Sequence, residues 1–202
     1  MRILIACEFS GTVRDAFLAK GHNAYSCDII PSESKHPDDD SRHYQCDVMA
    51  LLKEPWDMII AHPPCTFMAN SGVRWLFGSD EKMNRQRWHN LTEGAKFFNM
   101  FQRVDCPKVC IENPIMHKHA KALIDKPQYT QLIQPWQFGH GETKATCLWL
   151  KGLPKLKPTD IVEGREQRVW KMSPGPERAK ERSKFFTGIA DAMASQWSDN
   201  LS

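Results

Sequence analysis

The stretch Arg2-Ile3-Leu4-Ile5-Ala6-Cys7-Glu8-Phe9-Ser10-Gly11-Thr12 passes from an apolar, strand-forming run into a glycine turn. Val13, Ala16, Phe17 and Leu18 follow at helical spacing, and Gly21 ends that helix. His22 to Ile30 then reads as a second strand with Asp28 near its carboxyl end, closed by the polar loop from Pro31 to Asp40. Two strands joined through a helix cross over right-handed and lie parallel, and such sheets hold nucleotide-like ligands beyond the strand carboxyl ends. The expected fold class is α/β, a Rossmann-like, mostly parallel sheet flanked by helices. Its ligand is expected near Phe9, Ser10 and Gly11.

Further along, Asp47-Val48-Met49-Ala50-Leu51-Leu52 is a short element, and Trp56 to Ala61 is a buried strand running directly into His62-Pro63-Pro64-Cys65. The prolines stop that strand and stiffen the turn. Arg74 to Phe101 reads as mostly helical and carries Arg74, Lys82, Arg85 and Arg87 beside Trp75 and Trp88. Val109-Cys110-Ile111 is the next strand, expected to deliver Glu112-Asn113-Pro114 at its end. Lys151 to Arg182 is rich in Pro, Gly and charge, without sustained periodicity, and reads as an extended basic excursion. Phe185 to Trp197 restores an amphipathic helix that can pack back on the sheet.

The chain has 202 residues, 41% hydrophobic and 25% charged, which fits one α/β domain spanning 1–202 rather than a disordered or membrane chain. No segment approaches the roughly 20 apolar residues of a membrane span, and the N-terminal run is too short for a secretory leader. Seven cysteines, odd in number and without the paired short spacing of a zinc site, point to a reducing cytoplasm and to no metal. Cys110, in an apolar run, reads as a small core side chain. A formal net charge of +3 is compatible with a polyanionic partner without demanding one.

The order of these elements resembles the cytosine-C5 DNA methyltransferases, from Met1 to about Pro114 and again from Arg182 to Trp197. Phe9-Ser10-Gly11 looks like the family's cofactor motif, although Thr12-Val13 stands where the family has more glycine. Asp28 resembles the acid that closes the second strand, and Asp47 the acid that meets the adenine amino group. Pro63-Pro64-Cys65, followed by Phe67, Ala69, Ser71 and Gly72, looks like the nucleophile motif, and Pro107 to Asn113 like the Glu-Asn motif. Pro114 stands where the family usually has Val. Phe186-Thr187-Gly188-Ile189-Ala190-Asp191-Ala192 is similar to the last motif, with Asp191 in place of the usual Asn. The arginine-containing motif is not recognisable in Gln134 to Leu150. A full target-recognition domain has no room, as in the short members of the family that phages and prophages encode.

The resemblance implies S-adenosyl-L-methionine (SAM) as cofactor, bound through Phe9, Ser10, Gly11, Asp28, Asp47, Pro63, Thr187 and Gly188, and DNA with a flipped cytosine as substrate. Cytosine C5 is a poor nucleophile, so a thiolate first adds to C6; Cys65 has that role, with Glu112 on the N3/N4 edge of the base and Asn113 beside it. Read alone, Cys65 is more readily a buried small side chain after a Pro-Pro turn, and the Glu-Asn pair at a second strand end reverses that in favour of the nucleophile. Arg74, Arg85 and Arg87 are the expected phosphate contacts, against the plainer reading of a solvated helical face. His62 reads as a hydrogen-bonded spacer. Two other readings stand beside this one: C5 modification of a free cytosine nucleotide such as dCMP, and a catalytically silent module that binds SAM or nucleic acid.

Overall fold

Ile3, Leu4, Ile5 and Ala6 are wholly excluded from solvent in the computed structural model, which describes residues 1–78, 82–168 and 185–198. Strand β1 (Arg2–Ala6) is thus central, covered on both faces as its unbroken apolar run requires. Strand alternation sends Ile3 and Ile5 to one face, and Leu4 and Ala6 to the other. β2 (Asn23–Asp28) lies parallel on one side with Cys27 opposite Ala6, and β3 (His43–Gln45) lies beyond it. β4 (Met58–Ala61) lies parallel on the other side with Ala61 opposite Ala6, and β5 (Lys108–Pro114) lies beyond that. β7 (Thr146–Lys151) runs antiparallel to β5, and β6 (Gln131–Ile133) antiparallel to β7. The order is β3-β2-β1-β4-β5-β7-β6, a mostly parallel, Rossmann-like sheet of the α/β class the sequence implies.

Helices cover both faces. α1 (Thr12–Ala19) and α5 (Thr187–Ser198) lay Val13, Phe17, Ile189, Met193 and Trp197 against Ile3, Ile5, Met58 and Ile60. α3 (Arg85–Arg103) lays Leu91, Ala95 and Phe98 against Leu4, Ile59, Val109 and Ile111. Single-turn helices α2 (Asp39–Arg42) and α4 (Lys118–Lys121) precede β3 and follow β5. Among the described residues no helix is long and apolar enough to cross a membrane.

Three segments differ from the sequence reading. Glu112, Asn113 and Pro114 stand inside β5 rather than beyond it, because β7 offers them Leu148, Cys147 and Thr146 as partners. The helix expected from Arg74 breaks into a 3-10 segment, Asn70–Leu76, and α3, which starts only where the Asn84 side chain accepts a hydrogen bond from the Arg87 N–H. The first part of the basic excursion lies along the body: Leu156 is buried, and Trp197 Nε1–H donates to the Pro154 carbonyl at 3.0 Å. The rest of that excursion, 169–182 with Trp170 and Lys171, lies outside the described residues.

Candidate active site

β1, β4 and β5 end side by side, so the residues that leave them meet at one edge of the sheet. From β4 the chain enters His62-Pro63-Pro64-Cys65, and the Cys65 carbonyl accepts from the N–H groups of Met68 and Ala69 at 3.0 and 2.9 Å. That turn is fastened to the segment after β5. Ala69 and Met116 form an antiparallel bridge, His117 N–H donates to Met68, and Asn70 N–H donates to Ile115. His117 adds a further tie through its ring: Nδ1 accepts from the Ala120 N–H, so Nε2 carries the hydrogen given to the Phe67 carbonyl. Burial holds this histidine below its ordinary pKa, in keeping with that neutral form. Asn113, itself buried, donates from Nδ2 to the Pro63 carbonyl at 2.9 Å. Cys65, half-buried on this turn, is thereby held beside the β5 residues by bonds on both of its flanks.

Glu112 faces His62, with Nδ1 and Oε2 3.3 Å apart and both side chains nearly covered. Burial raises the pKa of this carboxyl, but the hydrogen bond and charge of His62, with Lys144, outweigh it and bring it below its ordinary value. The Phe185 ring closes over His62 at 4.9 Å. Two buried polar atoms at this edge, His62 Nε2 and Asn113 Oδ1, have no hydrogen-bond partner within the described residues. Unpaired buried polar atoms are costly, and a substrate or water that meets them recovers that cost.

The cofactor residues expected from sequence cluster at the neighbouring strand ends. Gly11 turns the chain at φ +70° into α1, and Ser10 bonds the Thr12 hydroxyl. Phe9 is buried. Asp28 and Asp47 both act electrostatically on Cys7, whose thiol burial and these acids push well above its ordinary pKa. Asp28 accepts from the Ile30 N–H, and Asp47 from the Met49 N–H. Ile29 and Met49, next to these acids, are exposed apolar side chains. Thr187 and Gly188 start α5, where the Gly188 N–H donates to His140 Nε2 at 3.0 Å. A Cβ on Gly188 would run into the Phe138 carbonyl oxygen, so packing alone accounts for glycine there. Among the described residues no cluster of His, Cys, Asp and Glu is poised to hold a metal.

The basic residues separate. Arg74 is exposed and stacks on Trp75 at 4.6 Å, and Arg85 is exposed at the start of α3. Arg87 instead turns inward, its guanidinium 4.7 Å from the ring centre of Phe67, two residues after Cys65. Sequence reasoning left out His62, Lys144 and Phe185. His62 stood in plain view before Pro63, but the covering Phe185 and the charge of Lys144 come from segments remote in sequence.

No family model matches this chain, and no curated relative matches it. Among solved structures it is similar to a protein assigned as a DNA modification methyltransferase encoded within a prophage of E. coli, with TM-score 0.48, 15% identity, and coverage of 85% of this chain and 55% of that one. It is also similar to the Entamoeba histolytica methyltransferase EhMeth, with TM-score 0.40, 14% identity, and coverage of 82% of this chain and 56% of that one. The chain thus spans a little over half the length of either structure.

Proposed function

We propose that this chain is a SAM-dependent methyltransferase that acts on C5 of cytosine in DNA, through a covalent bond between Cys65 and C6. The observation that carries the reading is the fastening of the Cys65 turn to the Glu112 strand, through Asn113 to Pro63 and through the Ala69–Met116 bridge. A cysteine packed at random after a Pro-Pro turn needs no such tie to the strand that carries Glu112.

The donor set fits SAM. Carboxylates at the ends of β2 and β3, Asp28 and Asp47, suit sugar hydroxyls and an adenine amino group, and exposed Ile29 and Met49 offer apolar contact to a purine. When bound, SAM supplies the methyl group that C5 takes up. Cys65 makes C5 nucleophilic by adding to C6, and Glu112 bonds the N3/N4 edge as electron density moves there. Asn113 holds the turn that carries the thiolate. Loss of the C5 proton then expels Cys65 and restores the ring. Arg74 and Arg85, exposed on the segments that follow the turn, suit the phosphates that flank a flipped base.

The test is tritiated-methyl transfer from SAM to mixed-sequence duplex DNA and, separately, to dCMP. Incorporation into DNA as 5-methylcytosine supports the reading. Incorporation into dCMP alone replaces DNA by the free nucleotide, and SAM binding with no transfer to either leaves a binding module.

A further inference from the structure

His62 is placed as more than a spacer. It leaves β4 between the ends of β1 and β5, where charged groups from three segments act on it or on its partner Glu112. Glu112 on β5 lies at 3.3 Å from Nδ1. Glu8, after β1, is buried and feels the His62 charge; its carboxylate otherwise accepts from the N–H groups of Val13 and Arg14 at 2.7 and 3.2 Å. Lys144, before β7, acts on Glu112. The apolar Phe185 ring covers the imidazole. A histidine bonded through one nitrogen to the Glu112 carboxylate, and buried with no partner among the described residues at the other, is arranged to hold a proton and pass it on.

We infer that His62 is a positioning residue that keeps a proton for Glu112, which hands it to N3 of the base as Cys65 adds to C6. This rests on the cytosine-C5 reading above. In the addition, the Cys65 Sγ–C6 bond forms and the C5=C6 electron pair shifts to join C4 and C5. The C4=N3 pair then moves onto N3, which takes a proton from Glu112. His62 Nδ1 gives its hydrogen to the same carboxylate and is left neutral, with hydrogen on Nε2. When Sγ leaves, the electrons and the proton return along the same path, so His62 is unchanged over the cycle. Glu112, bonded to His62, is otherwise a carboxylate with no proton of its own to give.

The relay is tested on the addition step by itself, as exchange of the cytosine C5 hydrogen with solvent from tritiated duplex DNA without added SAM. That exchange needs only addition, protonation at C5 and elimination. His62→Gln keeps an amide to bond Glu112 but holds no mobile proton. Relative to wild type, exchange and methyl transfer are expected to fall about 100-fold, the lower end of general acid catalysis. The relay predicts that wild type loses rate at alkaline pH and that this loss vanishes in the variant, while SAM binding by calorimetry stays within a few-fold. His62→Asn repeats the comparison if the glutamine variant does not give a native circular-dichroism spectrum. Wild-type exchange and transfer, with both variants matching it at every pH, overturn the relay alone. A uniform rate loss with the alkaline limb intact also overturns it, leaving a role in packing. A wild-type chain that exchanges no C5 hydrogen and transfers no methyl group overturns the cytosine-C5 reading, and the relay with it.

Discussion

Burial separates the sulfur atoms of this chain. It pushes the thiol of Cys27 up to about 12, with help from Cys46, and that of Cys147 up to about 11, with help from the Glu112 charge. Burial pushes Cys110, wholly enclosed in β5, well above its ordinary value as well. Such groups stay protonated at neutral pH and make poor nucleophiles. Cys65 instead sits half-buried on a turn at the carboxyl edge of the sheet. Cys65→Ser is accordingly expected to abolish methyl transfer while leaving SAM affinity within a few-fold, because in the proposed mechanism the thiolate serves the base and not the cofactor. Near-wild-type turnover in that variant would remove the mechanism. Glu112 gives a second residue-scale expectation. Its folded pKa lies below the unfolded value of about 4.3, so below that pH the unfolded chain binds the extra proton. The stability it contributes is present above the unfolded pKa and is lost as pH falls through the folded one. Urea midpoints at neutral pH and at about pH 4 should therefore fall further for wild type than for Glu112→Gln. Equal falls would mean that the His62 contact does not stabilise the carboxylate.

At the scale of elements, the tie between the β4 turn and β5 is the feature most exposed to a single change. Asn113→Ala removes the donor to the Pro63 carbonyl and leaves that oxygen unpaired, a loss of about 1–3 kcal/mol for a buried group. Thermal unfolding should read that loss, and transfer should fall more than SAM binding, since the freed turn carries Cys65. Gly188→Ala tests a different joint: its methyl meets the Phe138 carbonyl, and overpacking there should cost about 1–3 kcal/mol and shift the start of α5. An unchanged melting temperature would mean that Phe138 yields freely. The strands were legible because apolar runs such as Ile3 to Ala6 and Met58 to Ala61 have few other solutions, and the turn before Cys65 because prolines end a strand. Glu112 was legible as a residue at a strand edge, but its place inside β5 was not, since that depends on antiparallel pairing with β7, more than 30 residues on. The break between Leu76 and Arg85 was only partly legible. Gly78, Ser79, Asp80 and Asn84 are poor helix formers and did signal it, but the apolar and basic residues on either side read as one helix, and the Asn84 cap fixes where α3 begins. His62 was visible, yet its two carboxylate neighbours come from β1 and β5 and meet it only when the sheet forms.

Across the whole molecule, the chemistry lies at one edge of the sheet, and the formal charge of +3 is too small to define a partner by itself. Position is more informative. Arg74 and Arg85 stand exposed on the segments that follow the Cys65 turn, whereas Arg87 is spent on Phe67 inside it. These residues therefore should not behave alike. If the substrate is DNA, duplex affinity falls with salt, at a log–log slope of about −0.9 for each phosphate neutralised. Arg74→Gln and Arg85→Gln together should make that slope shallower by about 1.8, while SAM affinity and the melting temperature stay near wild type. Arg87→Gln should leave the slope closer to wild type and instead slow transfer at saturating DNA, because its guanidinium packs on the Phe67 ring, two residues after Cys65. Filter binding across a salt series, with turnover measured on the same preparations, separates the two effects. An unaltered slope in the Arg74/Arg85 double variant would remove both from the phosphate contacts. A flat salt response in the wild type, together with transfer to dCMP, would make the free nucleotide the substrate.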